Sequence, residues 1–66
     1  MIIRINGKNE SVSNGLTLAR LVADKKLTPE KIVIEHNLRI IPREEWEALT
    51  VEENDSLEII SFVGGG

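Results

Sequence analysis

Ser56-Leu57-Glu58-Ile59-Ile60-Ser61-Phe62-Val63-Gly64-Gly65-Gly66 is the stretch on which the fold turns. Successive side chains of a strand point to opposite faces, so Leu57, Ile59 and Val63 share one side and Ile60 and Phe62 the other. A strand that is apolar on both sides belongs in the middle of its sheet. Behind it comes a bare run of glycine. Without a Cβ, such a run approaches other atoms closely and takes φ values closed to other residues, as a terminus entering a narrow enzyme channel must. The competing reading of Gly64-Gly65-Gly66 is a disordered tail or linker remnant, and the body of the chain has to decide.

Upstream, Met1, Ile3 and Ile5 alternate with Ile2, Arg4 and Asn6, the period of a strand with one buried face. Asn6-Gly7 is a strong hairpin signal, because both residues tolerate the positive φ of a type I′ turn. A more polar strand is expected from Lys8 to Val12. The Leu16–Lys26 region reads as the main helix. Thr17 is its N-cap, Leu16 and Leu21 form a staple across that cap, and Leu18, Leu21 and Val22 make its apolar face. Lys25 and Lys26 close it where positive charge suits the macrodipole.

Thr28-Pro29 marks a turn with proline at a first helical position. Ile32-Val33-Ile34 is the third strand, Glu35-His36-Asn37 a turn, and Leu38 to Ile41 a fourth strand that ends at Pro42. Arg43 to Trp46 forms one helical turn, Asn54-Asp55 another turn, and Ser56 to Val63 the last strand. The order implies an α+β domain over residues 1–63, a mixed sheet of about five strands packed on one helix, with residues 64–66 as a flexible glycine tail. One helix covers one sheet face. The face left open presents apolar groups, a common mark of docking.

Composition narrows the function. The chain has 66 residues and is 41% apolar, near the lower size at which a core stabilises a fold unaided. It has no cysteine and a single histidine, His36, so neither a thiolate nor a multi-histidine metal site is available. Eight basic residues against eleven acidic ones give a net charge of −3, contrary to nucleic-acid binding by the general electrostatic route. No apolar run approaches the roughly 20 residues of a membrane span, and the start shows no signal-peptide pattern. The expectation is a soluble, cytoplasmic domain without metal, nucleic acid or membrane.

Other residues read more plainly. His36 is taken as a surface residue and Trp46 as a half-buried packing residue at the sheet edge. The pairs Glu44/Glu45 and Glu52/Glu53 are solvated faces or steering charges. Ile60 and Phe62 stand between core and interface, and the interface reading is adopted, which makes them candidate docking residues.

The ββαβ order closing on a central strand and a glycine tail resembles the ubiquitin-like β-grasp family. Three stretches narrow the resemblance: Asn37-Leu38-Arg39-Ile40-Ile41-Pro42-Arg43-Glu44-Glu45-Trp46, Asn54-Asp55-Ser56-Leu57-Glu58-Ile59 and Phe62-Val63-Gly64-Gly65-Gly66. Together they look like the ThiS family of sulfur carriers in thiamine biosynthesis.

The resemblance implies a cosubstrate rather than an enzyme. A ThiF-like adenylyltransferase spends ATP to adenylate the Gly66 carboxylate, and Gly64 and Gly65 thread into its active site. A cysteine desulfurase system then supplies sulfur to form a thiocarboxylate, and a ThiG-like thiazole synthase takes that sulfur. No cofactor is bound by the carrier itself. A carboxylate is a poor acyl donor, so adenylation splits one hard step into two, and a chain without cysteine has no side chain to hold a persulfide. The alternatives are a sulfur carrier for molybdopterin or another pathway, a ubiquitin-like modifier of lysines, and a non-covalent binding module.

Overall fold

A computed structural model describes residues 1–62. Val63, the 63/64 domain boundary and the glycines at 64, 65 and 66 lie outside the described residues. The strands are β1 (Ile2–Ile5), β2 (Lys8–Ser11), β3 (Ile32–His36), β4 (Arg39–Ile40) and β5 (Ser56–Ser61), and the one α-helix among the described residues is α1 (Leu18–Asp24). Single 3₁₀ turns occupy Pro29–Lys31 and Arg43–Glu45. The five strands form one mixed sheet in the order β2-β1-β5-β3-β4. β5 is central, parallel to β1 and antiparallel to β3, as its two apolar sides require.

The β1–β2 hairpin turns on Asn6 and Gly7, at φ 52° and 82°. The Asn6 side chain then reaches across the sheet, its Oδ1 accepting from the Ile59 N–H at 2.7 Å. Helix α1 lies over one face, burying Leu18, Leu21 and Val22 against Ile3, Ile5, Ile32, Ile34 and Leu57, with Ile41, Trp46 and Val51 closing the core. Its first four N–H groups are all accounted for, as a buried helix end requires. Leu18 donates to the Leu49 carbonyl, Ala19 to the Trp46 carbonyl, Arg20 to Thr17 Oγ1 and Leu21 to the Thr17 carbonyl.

Several expectations need correction. The helix is shorter than the Leu16–Lys26 region, running from Leu18 to Asp24. Lys26 takes φ 58° and donates to Ala23, while Leu27 donates to Val22. This is the Schellman ending, here with lysine where glycine is usual. Lys25 sits just past the last turn, with Nζ 3.0 Å from Glu10 of β2. β3 extends through His36, and the reversal falls on Asn37 and Leu38, at φ 49° and 74°. The fourth strand is therefore only Arg39–Ile40.

Trp46 is not half-buried. It is 4% exposed, and its Nε1–H donates to the buried Ile41 carbonyl at 3.1 Å.

The reversal at Asn37 and Leu38 is held by Asp55. Asp55 Oδ2 accepts from His36 Nε2 and from the Glu52 N–H, each at 2.8 Å, and Oδ1 accepts from Asn37 Nδ2 at 3.1 Å. Asn37 Oδ1 in turn accepts from the Ser56 N–H at 2.9 Å. His36 is thus part of a clamp between β3 and the start of β5, not a free surface residue. Burial pushes the Asp55 pKa up. The hydrogen bonds from His36, Glu52 and Asn37 and the His36 charge outweigh it, leaving the carboxyl below its ordinary value of 3.8.

With the folded pKa below the unfolded one, the folded state holds fewer protons as pH falls through this range. The contribution of Asp55 is complete above its unfolded value and is lost as pH falls through the folded value. Asp55→Asn should lower stability at neutral pH by about 1–3 kcal/mol and flatten the acid limb of a urea-unfolding series run below about pH 5. An acid limb identical to that of the parent chain contradicts this assignment.

Candidate docking face and the strand that leads to the tail

The face of the sheet opposite α1 is built by the alternate residues of each strand. Registers place Arg4 beside Ser56, Val33 beside Ile60, and Glu35 between Glu58 on one side and Ile40 on the other. Ile60 is 50% exposed and Ile40 66% exposed, whereas Leu57 on the helix side is fully buried. A β-strand with one residue type buried and the next half exposed is the ordinary consequence of covering only one face. The exposed apolar side chains on this face are not matched by any cover among the described residues.

Phe62 is the last described residue and is 47% exposed. Its N–H donates to the Lys31 carbonyl at 3.0 Å, which fastens the chain to the residue just before β3. It borders a shallow hollow shared with Lys26, Leu27, Lys31 and Ile32. The structure therefore places Ile60 within the open face and Phe62 one residue past the end of β5, which stops at Ser61 among the described residues rather than running on to Val63. The candidate residues Gly64, Gly65 and Gly66 fall outside the described part.

Sequence reasoning missed Ile40, which was taken only as a strand residue, and Leu38, which is 91% exposed at the tip of the β3–β4 hairpin. The alternation of Leu38 to Ile41 contained the signal for Ile40, since buried Ile41 and exposed Ile40 are neighbours. Leu38 carried no such signal, because its place in a turn follows from the φ of the backbone.

Asp55 and His36 are engaged with each other in the clamp, and no group of three or more His, Cys, Asp or Glu residues among the described residues is arranged to hold a metal ion. No helix among them is long and apolar enough to cross a membrane.

Comparison with known proteins extends the picture. The profile of the ThiS family matches residues 3–66. The chain is 33% identical over 66 residues to a thiazole synthase of Paramagnetospirillum magneticum, of whose length it spans 20%. Over 66 residues it is 30% identical to the sulfur carrier protein ThiS of Bacillus subtilis, the match taking in 98% of this chain and 100% of that one. The crystal structure of a thiamine biosynthesis protein (ThiS) from Geobacter metallireducens superposes with a TM-score of 0.87 at 32% identity, with both chains covered in full.

Proposed function

The chain belongs to the ThiS family, and on that premise we propose that it carries sulfur as a thiocarboxylate on Gly66 for thiazole formation in thiamine biosynthesis. It is a small carrier that other enzymes act upon. The observation that supports the terminal chemistry most is the extent of the family match, which runs through Gly66 itself.

The cycle follows from acyl chemistry. An adenylating enzyme joins the Gly66 carboxylate to the α-phosphate of ATP and releases pyrophosphate, turning an unreactive carboxylate into an acyl group with AMP as leaving group. A persulfide originating from a cysteine desulfurase attacks the acyl carbon, forming the C–S bond as the C–O bond to AMP breaks, and a thiol reductant then cleaves the S–S bond of the acyl disulfide, leaving the thiocarboxylate on Gly66 and the thiol oxidised to a disulfide. Thiazole synthase is the acceptor. This assignment is supported by thiazole synthases that contain a segment similar to this whole chain. Gly64 and Gly65 present the carboxylate because only a backbone without side chains fits a narrow channel. ATP is the substrate of the activating enzyme and is not held by the carrier.

Docking on that enzyme uses the open face. Ile60 and Phe62 are half exposed at the end of the chain that leads to the tail, so a partner that grips them also fixes the position of the carboxylate. Two measurements test the reading together. ATP–pyrophosphate exchange by the adenylating enzyme should depend on the chain. Phe62→Ala, with a circular dichroism spectrum like the parent's, should raise its KM by an amount equivalent to about 1–3 kcal/mol of binding. Exchange that proceeds without the chain removes the adenylation step, and an unchanged KM in a folded variant removes Phe62 from the interface.

A further inference from the structure

The open face contains a conflict that the fold itself does not resolve. Glu35 and Glu58 are directly opposed across the antiparallel β3–β5 pair. Opposed residues in such a pair have Cβ atoms about 4.5–5.5 Å apart, a separation at which like charges destabilise the sheet. Neither carboxylate has an ion-pair partner among the described residues, where the pairs are Arg20–Asp24, Lys25–Glu10, His36–Asp55 and Arg43–Glu30. Arg4 is the nearest cation by register, but it stands opposite Ser56, a diagonal neighbour of Glu58.

Toward β4 and the chain end the neighbours on this face are apolar: Ile40 lies beside Glu35, and the next pair on the same face is Val33–Ile60. Toward β1 they are polar, Arg4 and Ser56. Stability alone favours opposite charges or a β-branched pair at the Glu35–Glu58 position.

We propose that this face is the docking surface for an adenylating enzyme that covers Val33, Ile40 and Ile60 with apolar side chains and sets an arginine between Glu35 and Glu58. The proposal rests on the carrier reading above and specifies its partner. Charge complementarity selects the occupant: two adjacent carboxylates beside an apolar surface call for a cation bounded on that side by apolar groups. Arginine fits better than lysine, because its planar fork carries five donors and spans two acceptors, and it gives up its water more readily. A second copy of this chain is disfavoured by its net charge of −3.

The arrangement couples repulsion to recognition. In the free protein the two carboxylates repel, and the incoming cation removes that repulsion as it binds. Neutralising them therefore has opposite effects on the two states, strengthening the free sheet and weakening the complex. A purely structural pair would not behave in this way.

The test uses the full chain, the parent and two variants, Glu35→Gln/Glu58→Gln and Glu58→Lys, with the adenylating enzyme of the same organism as the probe. Thermal unfolding, Kd and pyrophosphate exchange are measured at about 50 mM and about 500 mM salt. The expected result is a Tm at or above the parent's, a Kd raised about tenfold or more at low salt with a smaller gap at high salt, and an unchanged kcat at saturating chain.

A Kd equal to the parent's, or a lowered Tm, overturns the proposal. So does an effect confined to thiazole synthase binding or to self-association. If the parent chain is loaded at Gly66 while the variants bind as it does, this surface fails and the carrier reading stands. If the parent chain is not loaded at all, the carrier reading fails and this proposal falls with it.

Discussion

Deletion of Gly66 is expected to abolish sulfur loading while leaving the Tm of the domain unchanged. Among the described residues the buried core extends no further along the chain than Leu57, with Ile59 packed partly against it, and a glycine has no side chain to add to it. Loading depends on where the carboxylate stands relative to the nucleotide. One residue added after Gly66 moves the carboxylate by roughly 3.5 Å. Displacements of about 1 Å already cost on the order of a hundredfold in rate, so the extended chain should be as inactive as the truncated one. Replacing Gly65 with a bulky residue should slow adenylation and leave Tm unchanged, because the side chain meets the channel wall and not the core. The check is a time course of adenylate and thiocarboxylate formation. An untrimmed, extended chain loaded at the parent's rate contradicts the threading argument.

The largest effect on stability should come from Trp46→Ala, at roughly 3–5 kcal/mol. A domain of this size has a total stability of only about 3–10 kcal/mol, so the variant should be substantially unfolded near 37 °C. Two losses combine. The indole leaves a cavity where it packed against the core, and the buried Ile41 carbonyl loses its donor at 3.1 Å. The Trp46 backbone carbonyl, which accepts from Ala19 at the start of α1, is also less firmly placed. Trp46→Phe restores most of the volume but not the donor, and should cost about 1–3 kcal/mol for the unsatisfied carbonyl. Urea unfolding of the variants decides this. A change below 1 kcal/mol for Trp46→Ala would mean that the indole is not part of the core.

What could be read from the sequence was the part governed by neighbours in the chain. Asn6-Gly7 turns as its φ preferences demand, Thr17 caps α1, and the two-sided apolar pattern of Leu57 to Phe62 places β5 in the sheet centre. Features that depend on distant partners stayed hidden. Asn37-Leu38 became a reversal because Asp55 and Ser56, at the start of the neighbouring strand β5, hold Asn37 and His36. A leucine at φ 74° carries no turn signal of its own, and neither does Lys26 in the left-handed region at the end of α1. The burial of Trp46 follows from a hydrogen bond to Ile41 and from its carbonyl capping the helix.

The candidate site divides along the same line. Ile60 stood out as an apolar residue on the far side of β5, and the structure gives it half its surface. Glu35 and Glu58 could not have been paired from the sequence, since they stand 23 positions apart and only the β3–β5 register brings them together. Ile40 joins them by the β3–β4 register. Glu44/Glu45 and Glu52/Glu53, conspicuous as adjacent acids, fall to either side of the core-closing segment from Trp46 to Val51, with Glu53 Oε1 accepting from the Ile2 N–H at 3.0 Å.

Intact-mass analysis of the chain after incubation with ATP, the adenylating enzyme, a sulfur donor and a thiol reductant tests the chemistry at Gly66 most directly. The expected result is a gain of about 16 Da, one oxygen replaced by sulfur, localised to the C-terminal peptide and absent when ATP is withheld. A chain that keeps its original mass while the same enzyme and donor load a known carrier, or one whose added mass maps to a lysine, would contradict it.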